Sequence, residues 1–131
     1  MRYLDANIFI YLLDKNAKKE FRKTSERILK RIESKEVAVM SFINLMEVLW
    51  WCEKYLKKLK QIYDLILSYK NLRIINISSD TLDDALFLKA KHGLELNDCI
   101  SVAVMIKLGI KEIYSNDTGF DKVRWLKRIF K

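Results

Sequence analysis

The stretch Lys111–Asp121, KEIYSNDTGFD, governs how the rest of the chain is read. Its first half, KEIYS, has the content of a short buried strand. That strand runs directly into a turn holding Asn116, Asp117, Gly119 and Asp121. Asn, Asp and Gly all favour turn geometry, so a polar turn pinned to the core by Phe120 is the plain account. Yet the chain carries a formal net charge of +8. Acid gathered where a strand leaves the core therefore calls for a reason beyond turn-making.

The same strand-then-helix unit recurs outward from this point. RYLD (Arg2–Asp5), EVAVM (Glu36–Met40) and LRIINI (Leu72–Ile77) are predicted strands, KEIYS is a fourth, and VRWLKRIF supplies a short fifth. Helical patterns fill the gaps. NIFIYLLDK follows the first strand, and an amphipathic helix spans Ala17 to Lys35 with Phe21, Ile28, Leu29 and Ile32 on one side. FINLMEVLWWCEKY is capped by Ser41. A further helix runs from about Lys57 to Lys70. Another is capped by Ser79 or Asp80 and ends near His92 and Gly93, and CISVAVMIKLG opens at Asn97 or Asp98 and stops at Gly109. Strands alternating with helices predict an α/β fold: a three-layer α/β/α sandwich around a parallel sheet of four to five strands. The strands are near-continuous apolar runs, as strands covered on both faces must be. With 131 residues and neither repeat nor linker, residues 1–131 form a single domain.

Composition narrows the classes. Half the residues are hydrophobic, which excludes a disordered chain. No stretch is long and apolar enough for a membrane span, and Asp5 and Asn7 interrupt the only apolar run near the start. Cys52 and Cys99 lie in apolar helical patterns without metal-site spacing and read as buried free thiols in a reducing cytoplasm. The basic balance, 25 Lys and Arg against 17 Asp and Glu, suits a polyanionic partner but is equally an ordinary solvated surface.

In parallel α/β sheets ligands bind outside the carboxyl ends of the strands, at the point where strand order reverses. Asp5 ends the first strand and Asp117 follows the fourth, so neighbouring placement of those strands puts both on one rim. Asp98 stands at the start of a helix apolar enough to be central. Each acid alone has a structural explanation: a helix cap for Asp5 or Asn7, a dipole-favoured first turn for Asp98, turn geometry for Asp117 and Asp121. Glu47 interrupts a helix apolar over most of its circumference. It belongs either to a narrow exposed stripe with Asn44 and Lys54 or to a functional site. Gathered carboxylates repel, and a divalent cation removes that penalty. All-oxygen ligands suit Mg²⁺ or Mn²⁺ rather than zinc. His92, beside a helix stop, reads as a surface or C-cap residue.

Taken together, YLDANIFIYLL, Glu47 within NLMEVLWW, LNDCISVAV and IYSNDTGFDKV resemble a PIN-domain nuclease, and most of all the VapC-type toxins of toxin–antitoxin pairs. The four motifs run in order from residue 3 to residue 123. The resemblance implies that Asp5, Glu47, Asp98 and Asp117 are the catalytic, metal-binding quartet. Asp121 matches a further acid found in some members and is implied as an additional metal-binding residue, and Asn7 and Ser115 match supporting polar positions. It also implies a Mg²⁺- or Mn²⁺-dependent endoribonuclease acting on single-stranded RNA and leaving 5′-phosphate and 3′-hydroxyl ends. A homodimer and a protein antitoxin that occludes the site complete what it implies.

On that reading Lys15, Lys18, Lys19, Arg22, Lys122 and Arg124 are candidate strand contacts, each also readable as a solvated cation. Tyr11, Phe21, Trp50, Trp51 and Tyr55 are candidates for partner contact or for core. Three alternatives stay open: a housekeeping RNA-processing PIN nuclease without an antitoxin, a catalytically inactive RNA-binding PIN module, and a phosphoacceptor receiver domain. The receiver lacks its expected aspartate after the third strand, since NISSD stands there.

Overall fold

A computed structural model describes residues Met1–Lys131. Five parallel strands, β1 (Arg2–Leu4), β2 (Ala38–Ser41), β3 (Leu72–Ile75), β4 (Glu112–Tyr114) and β5 (Lys127–Ile129), form one sheet in the order β3-β2-β1-β4-β5. Two helices make each of the first three crossovers: α1 (Ala6–Leu13) and α2 (Lys19–Ser34), then α3 (Phe42–Tyr55) and α4 (Leu59–Leu67), then α5 (Ser79–His92) and α6 (Leu96–Leu108). A 3-10 helix over Thr118–Lys122 follows β4 on the way to β5. This is the expected three-layer α/β/α sandwich, with all five strands present.

The two-residue period of the strands sorts side chains onto two cores. Leu4, Ala38, Met40 and Tyr114 pack under α1 to α4. Their neighbours Tyr3, Val39 and Ile113 face the opposite core with α5 and α6. Helix α6 is the central helix the sequence predicted: every residue from Cys99 to Met105 is buried. Gly109 stops it at φ 69°, a left-handed backbone that suits glycine. Cys52 and Cys99 are free and buried, as expected. No helix is long and apolar enough to cross a membrane.

Several element ends differ from expectation. The RYLD strand stops at Leu4 because Asp5 turns to cap α1. LRIINI stops at Ile75 because β2, the only neighbour of this edge strand, runs out where Ser41 pairs with Ile75. Strand β2 starts two residues late, at Ala38, because that residue pairs with Arg2 and Leu72, the first residues of its two neighbours. The cap of α5 is Ser78, whose Oγ accepts from the Thr81 amide at 3.2 Å, rather than Ser79 or Asp80. Helix α6 opens at Leu96, which places Asp98 within the first turn.

Helix α3, apolar over most of its circumference, is buried on one face only: Leu45, Val48 and Cys52 face the core while Phe42, Met46 and Trp50 lie 36–51% exposed. Nor do Asn44, Glu47 and Lys54 share an exposed stripe, because Asn44 is only 1% exposed. It forms a capping box with Ser41, and that draws its side chain inward against α6.

Candidate metal centre

Strand order reverses between β1 and β4, and four chain segments meet at the carboxyl end of that seam. Asp5 leaves β1 as the N-cap of α1. One carboxylate oxygen accepts from the Ala6 amide at 2.8 Å and the other from the Ser115 hydroxyl at 2.6 Å. Ser115 follows β4, is fully buried, and acts as the joint of the site. Its Oγ also accepts from the Asp117 amide at 3.0 Å and from Asn7 Nδ2 at 3.4 Å. Asp117 then folds back over its own turn, its Oδ1 accepting from the Gly119 amide at 2.8 Å. A Cβ on Gly119 would stand 3.0 Å from that oxygen, so glycine is the residue that leaves the aspartate room.

The other two acids come from the helices flanking the seam. Glu47 lies one turn into α3, held by Asn44 Nδ2 at 3.4 Å, with the Asn97 side chain nearby. Asp98, in the first turn of α6, sits within hydrogen-bonding reach of the Asp117 carboxyl. Burial, opposed by the bonds from Ser115 and Ala6 and reinforced by the charge of Asp117, pushes the Asp5 carboxyl up to about 6. Burial and then the charges of Asp5 and Asp98 push Glu47 up to about 7. Burial, followed by Asp5, Asp117 and Glu95, pushes Asp98 up to about 7. Folding therefore buries Asp5, Glu47 and Asp98 and sets like charges beside them, so these three resist ionising.

These carboxyls share a rim without closing into a cage, and no three converge on one point. The donor set nevertheless fits a hard divalent cation. Every nearby donor is oxygen, the carboxyls lack a positive partner, and the buried Oδ1 of Asn7 has no hydrogen-bond donor. Mg²⁺ keeps several waters, so a rim of acids can hold it without every acid touching the ion.

Asn7 and Ser115, the expected supporting residues, lie beside Asp5, Asn7 bonded to Ser115 and Ser115 to the Asp5 carboxylate. Asp121 has another partner: Arg128 grips its two oxygens at 3.0 and 3.2 Å, and the pair lies at the surface. Among the basic candidates Arg22 is tied to the Asp14 carbonyl at 3.1 Å and Lys18 lies over the Phe21 ring, whereas Lys15, Lys19, Lys122 and Arg124 are exposed. Tyr11 and Phe21 pack with Phe130 in an aromatic cluster, and the Tyr11 hydroxyl accepts from Asn116 beside Asp117. Sequence reasoning missed Tyr3, Ser101 and Asn97. The signals available were a phenol inside an apolar strand and a hydroxyl inside the apolar run CISVAV.

The PIN domain family model matches residues 2–126. The chain belongs to the PIN domain family. Solved structures share the fold of this PIN domain at low identity. The sarcin–ricin-loop-cleaving toxin VapC20 of Mycobacterium tuberculosis superimposes with a TM-score of 0.81 at 19% identity, covering 97% of this chain and 98% of that one. A toxin–antitoxin complex from Klebsiella pneumoniae gives 0.74 at 23% identity over 96% and 95% of the two chains. VapBC2 of Rickettsia felis, solved bound to a DNA fragment from its promoter, gives 0.69 at 21% identity over 98% of each. No curated protein matches this PIN domain by sequence.

Proposed function

We propose that this PIN domain is a metal-dependent endoribonuclease, the toxin of a toxin–antitoxin pair, with Asp5, Glu47, Asp98 and Asp117 as its catalytic acids. The observation that supports the reading is that these four acids share one rim at the β1/β4 switch point, three of them with carboxyls raised to about 6 or 7. A Mg²⁺ or Mn²⁺ ion bound there supplies an acidified water and neutralises charge on phosphate oxygens.

The protein's own residues set the geometry. Asp5 is the fixed member, because the Ala6 amide and the Ser115 hydroxyl leave its carboxylate no freedom to turn. Asp117 is aimed by its bond to Gly119, and Asp98 faces it across the seam. Asn7 offers an oxygen through Oδ1. Glu47, bonded by Asn44 and without a cationic partner, offers a carboxylate that can take a proton from an attacking water.

Single-stranded RNA is the substrate class, its phosphates held by exposed cations such as Lys15, Lys19, Lys122 and Arg124. The partners are a protein antitoxin and a second copy of the chain. The toxin–antitoxin complexes among the structural neighbours support the first, and the exposed Phe42, Met46 and Trp50 face of α3 offers apolar contact area.

The test is cleavage of end-labelled unstructured RNA by purified protein with Mn²⁺ or with chelator, beside Asp5→Asn and Asp117→Asn. Cleavage should require the metal and vanish in both variants. Equal cleavage by all three proteins would mark a contaminating nuclease and remove the assignment.

A further inference from the structure

Beneath Glu47 lies a buried polar network that the four acids do not account for. Every polar atom of the Asn44 amide is used. Oδ1 accepts from the Tyr3 hydroxyl, from the Ser41 amide at 3.2 Å and from Ser41 Oγ at 3.2 Å. Nδ2 donates to Ser101 Oγ at 3.2 Å and to Glu47 Oε1 at 3.4 Å. Turning the amide over would set its NH₂ against the Ser41 N–H, so its orientation is fixed. Capping α3 requires only the Ser41 bonds. The bonds to Tyr3 on β1, Ser101 on α6 and Glu47 are surplus to a cap. They tie three elements to one carboxylate.

We infer that Asn44, locked by Tyr3 and Ser101, is a positioning residue that aims the Glu47 carboxylate at the metal rim. The inference rests on the nuclease reading above. Its physical basis is that Glu47 springs from a helix whose next turn is exposed at Trp50. Without a donor behind it, a half-buried carboxylate beside Asp5 and Asp98 is driven outward by repulsion and by hydration. Asn44 supplies that donor from the buried side. Partners behind metal-binding side chains commonly change metal affinity or activity about 10–100-fold when removed.

Two variants probe the lock from a distance. Tyr3→Phe removes a hydroxyl but leaves Asn44 Oδ1 and the Ser41 amide bonded to each other. Ser101→Ala removes the acceptor of one Asn44 proton. Asn71→Ala, which deletes a 2.8 Å bond to the Ile32 carbonyl, is the matched control for losing a hydrogen bond elsewhere. The full chain, stripped with chelator, is titrated with Mn²⁺ by calorimetry, melted in chelator, and assayed on labelled RNA.

Tyr3→Phe and Ser101→Ala should each weaken Mn²⁺ binding about fivefold and lower kcat about tenfold with KM within about twofold. Asn71→Ala should lower the melting temperature without changing Mn²⁺ affinity. In a Glu47→Gln background, Tyr3→Phe should have no further effect on Mn²⁺ binding. Unchanged affinity and kcat in Tyr3→Phe and Ser101→Ala, or effects that simply add to Glu47→Gln, overturn the positioning role while the nuclease reading stands. Wild-type protein that neither binds Mn²⁺ nor cuts RNA overturns the nuclease reading, and the positioning role with it.

Discussion

Replacing Asp5 by Asn should stabilise the metal-free protein while abolishing its response to metal. In the fold the Asp5 carboxyl is raised from 3.8 to about 6, with burial as the leading cause. At neutral pH that shift of about two pKa units corresponds to about 3 kcal/mol of folding free energy lost by holding the group ionised. An amide carries no charge and escapes that cost. Its oxygen can keep the bond from the Ala6 amide, and its NH₂ takes the place of the oxygen facing Ser115. Ser115 Oγ then meets three donors, the new amide, the Asp117 N–H and Asn7 Nδ2, with two lone pairs for them. One lost hydrogen bond costs about 1 kcal/mol. The net gain is about 2 kcal/mol, or roughly 6–10 °C in Tm for a domain of this size.

The assay is thermal denaturation at pH 7 in chelator and across an Mn²⁺ series. Wild type should gain about 2.7 kcal/mol at a hundredfold excess over Kd, and the variant close to nothing, so the two Tm curves cross. An Asp5→Asn protein that melts below wild type in chelator would refute the claim that burying the Asp5 charge costs this fold stability. One that responds to Mn²⁺ as wild type does would refute the role of Asp5 in holding metal.

Gly119→Ala should leave the fold stable yet weaken Mn²⁺ binding several-fold by calorimetry, since its Cβ would press on Asp117 Oδ1 from 3.0 Å. Asp121→Asn should retain most cleavage activity, unlike Asp98→Asn, because Arg128 already engages both Asp121 oxygens. The pH dependence has a definite sign. Asp5, Glu47 and Asp98 are all raised, so their stabilising protonated forms are fully present below about pH 4 and are lost as pH climbs through about 6 to 7. In chelator Tm should therefore fall between pH 5 and 8, and saturating Mn²⁺ should flatten that slope. Arg2→Met removes ion pairs to Glu36 and Glu112 at the amino ends of the strands. It should cost roughly 1–2 kcal/mol in urea denaturation and leave Mn²⁺ affinity unchanged.

Much of this was legible in the sequence because local pattern and chain order carry it. Apolar runs such as KEIYS and the helical apolar stretch at CISVAVM report strand and helix without reference to distant residues. Their alternation demands a parallel sheet, and a parallel sheet locates its ligands at a switch point. Asp5 and Asp117 were visible because each stands immediately after a strand, and Asp98 because it precedes an apolar helix.

Other features depend on distances between segments that no local pattern records. The burial and charge crowding that lift Asp5, Glu47 and Asp98 exist only once β1, α3 and α6 are packed together. Asp121 looks the equal of Asp117 in the turn, yet Arg128 of β5 draws it away. Asn44 can be read as one of three residues of an exposed stripe until Tyr3 and Ser101, 41 residues before it and 57 after, close over it in the core. Local propensity follows from each residue and its neighbours, whereas electrostatic and hydrogen-bond partners are chosen by tertiary packing.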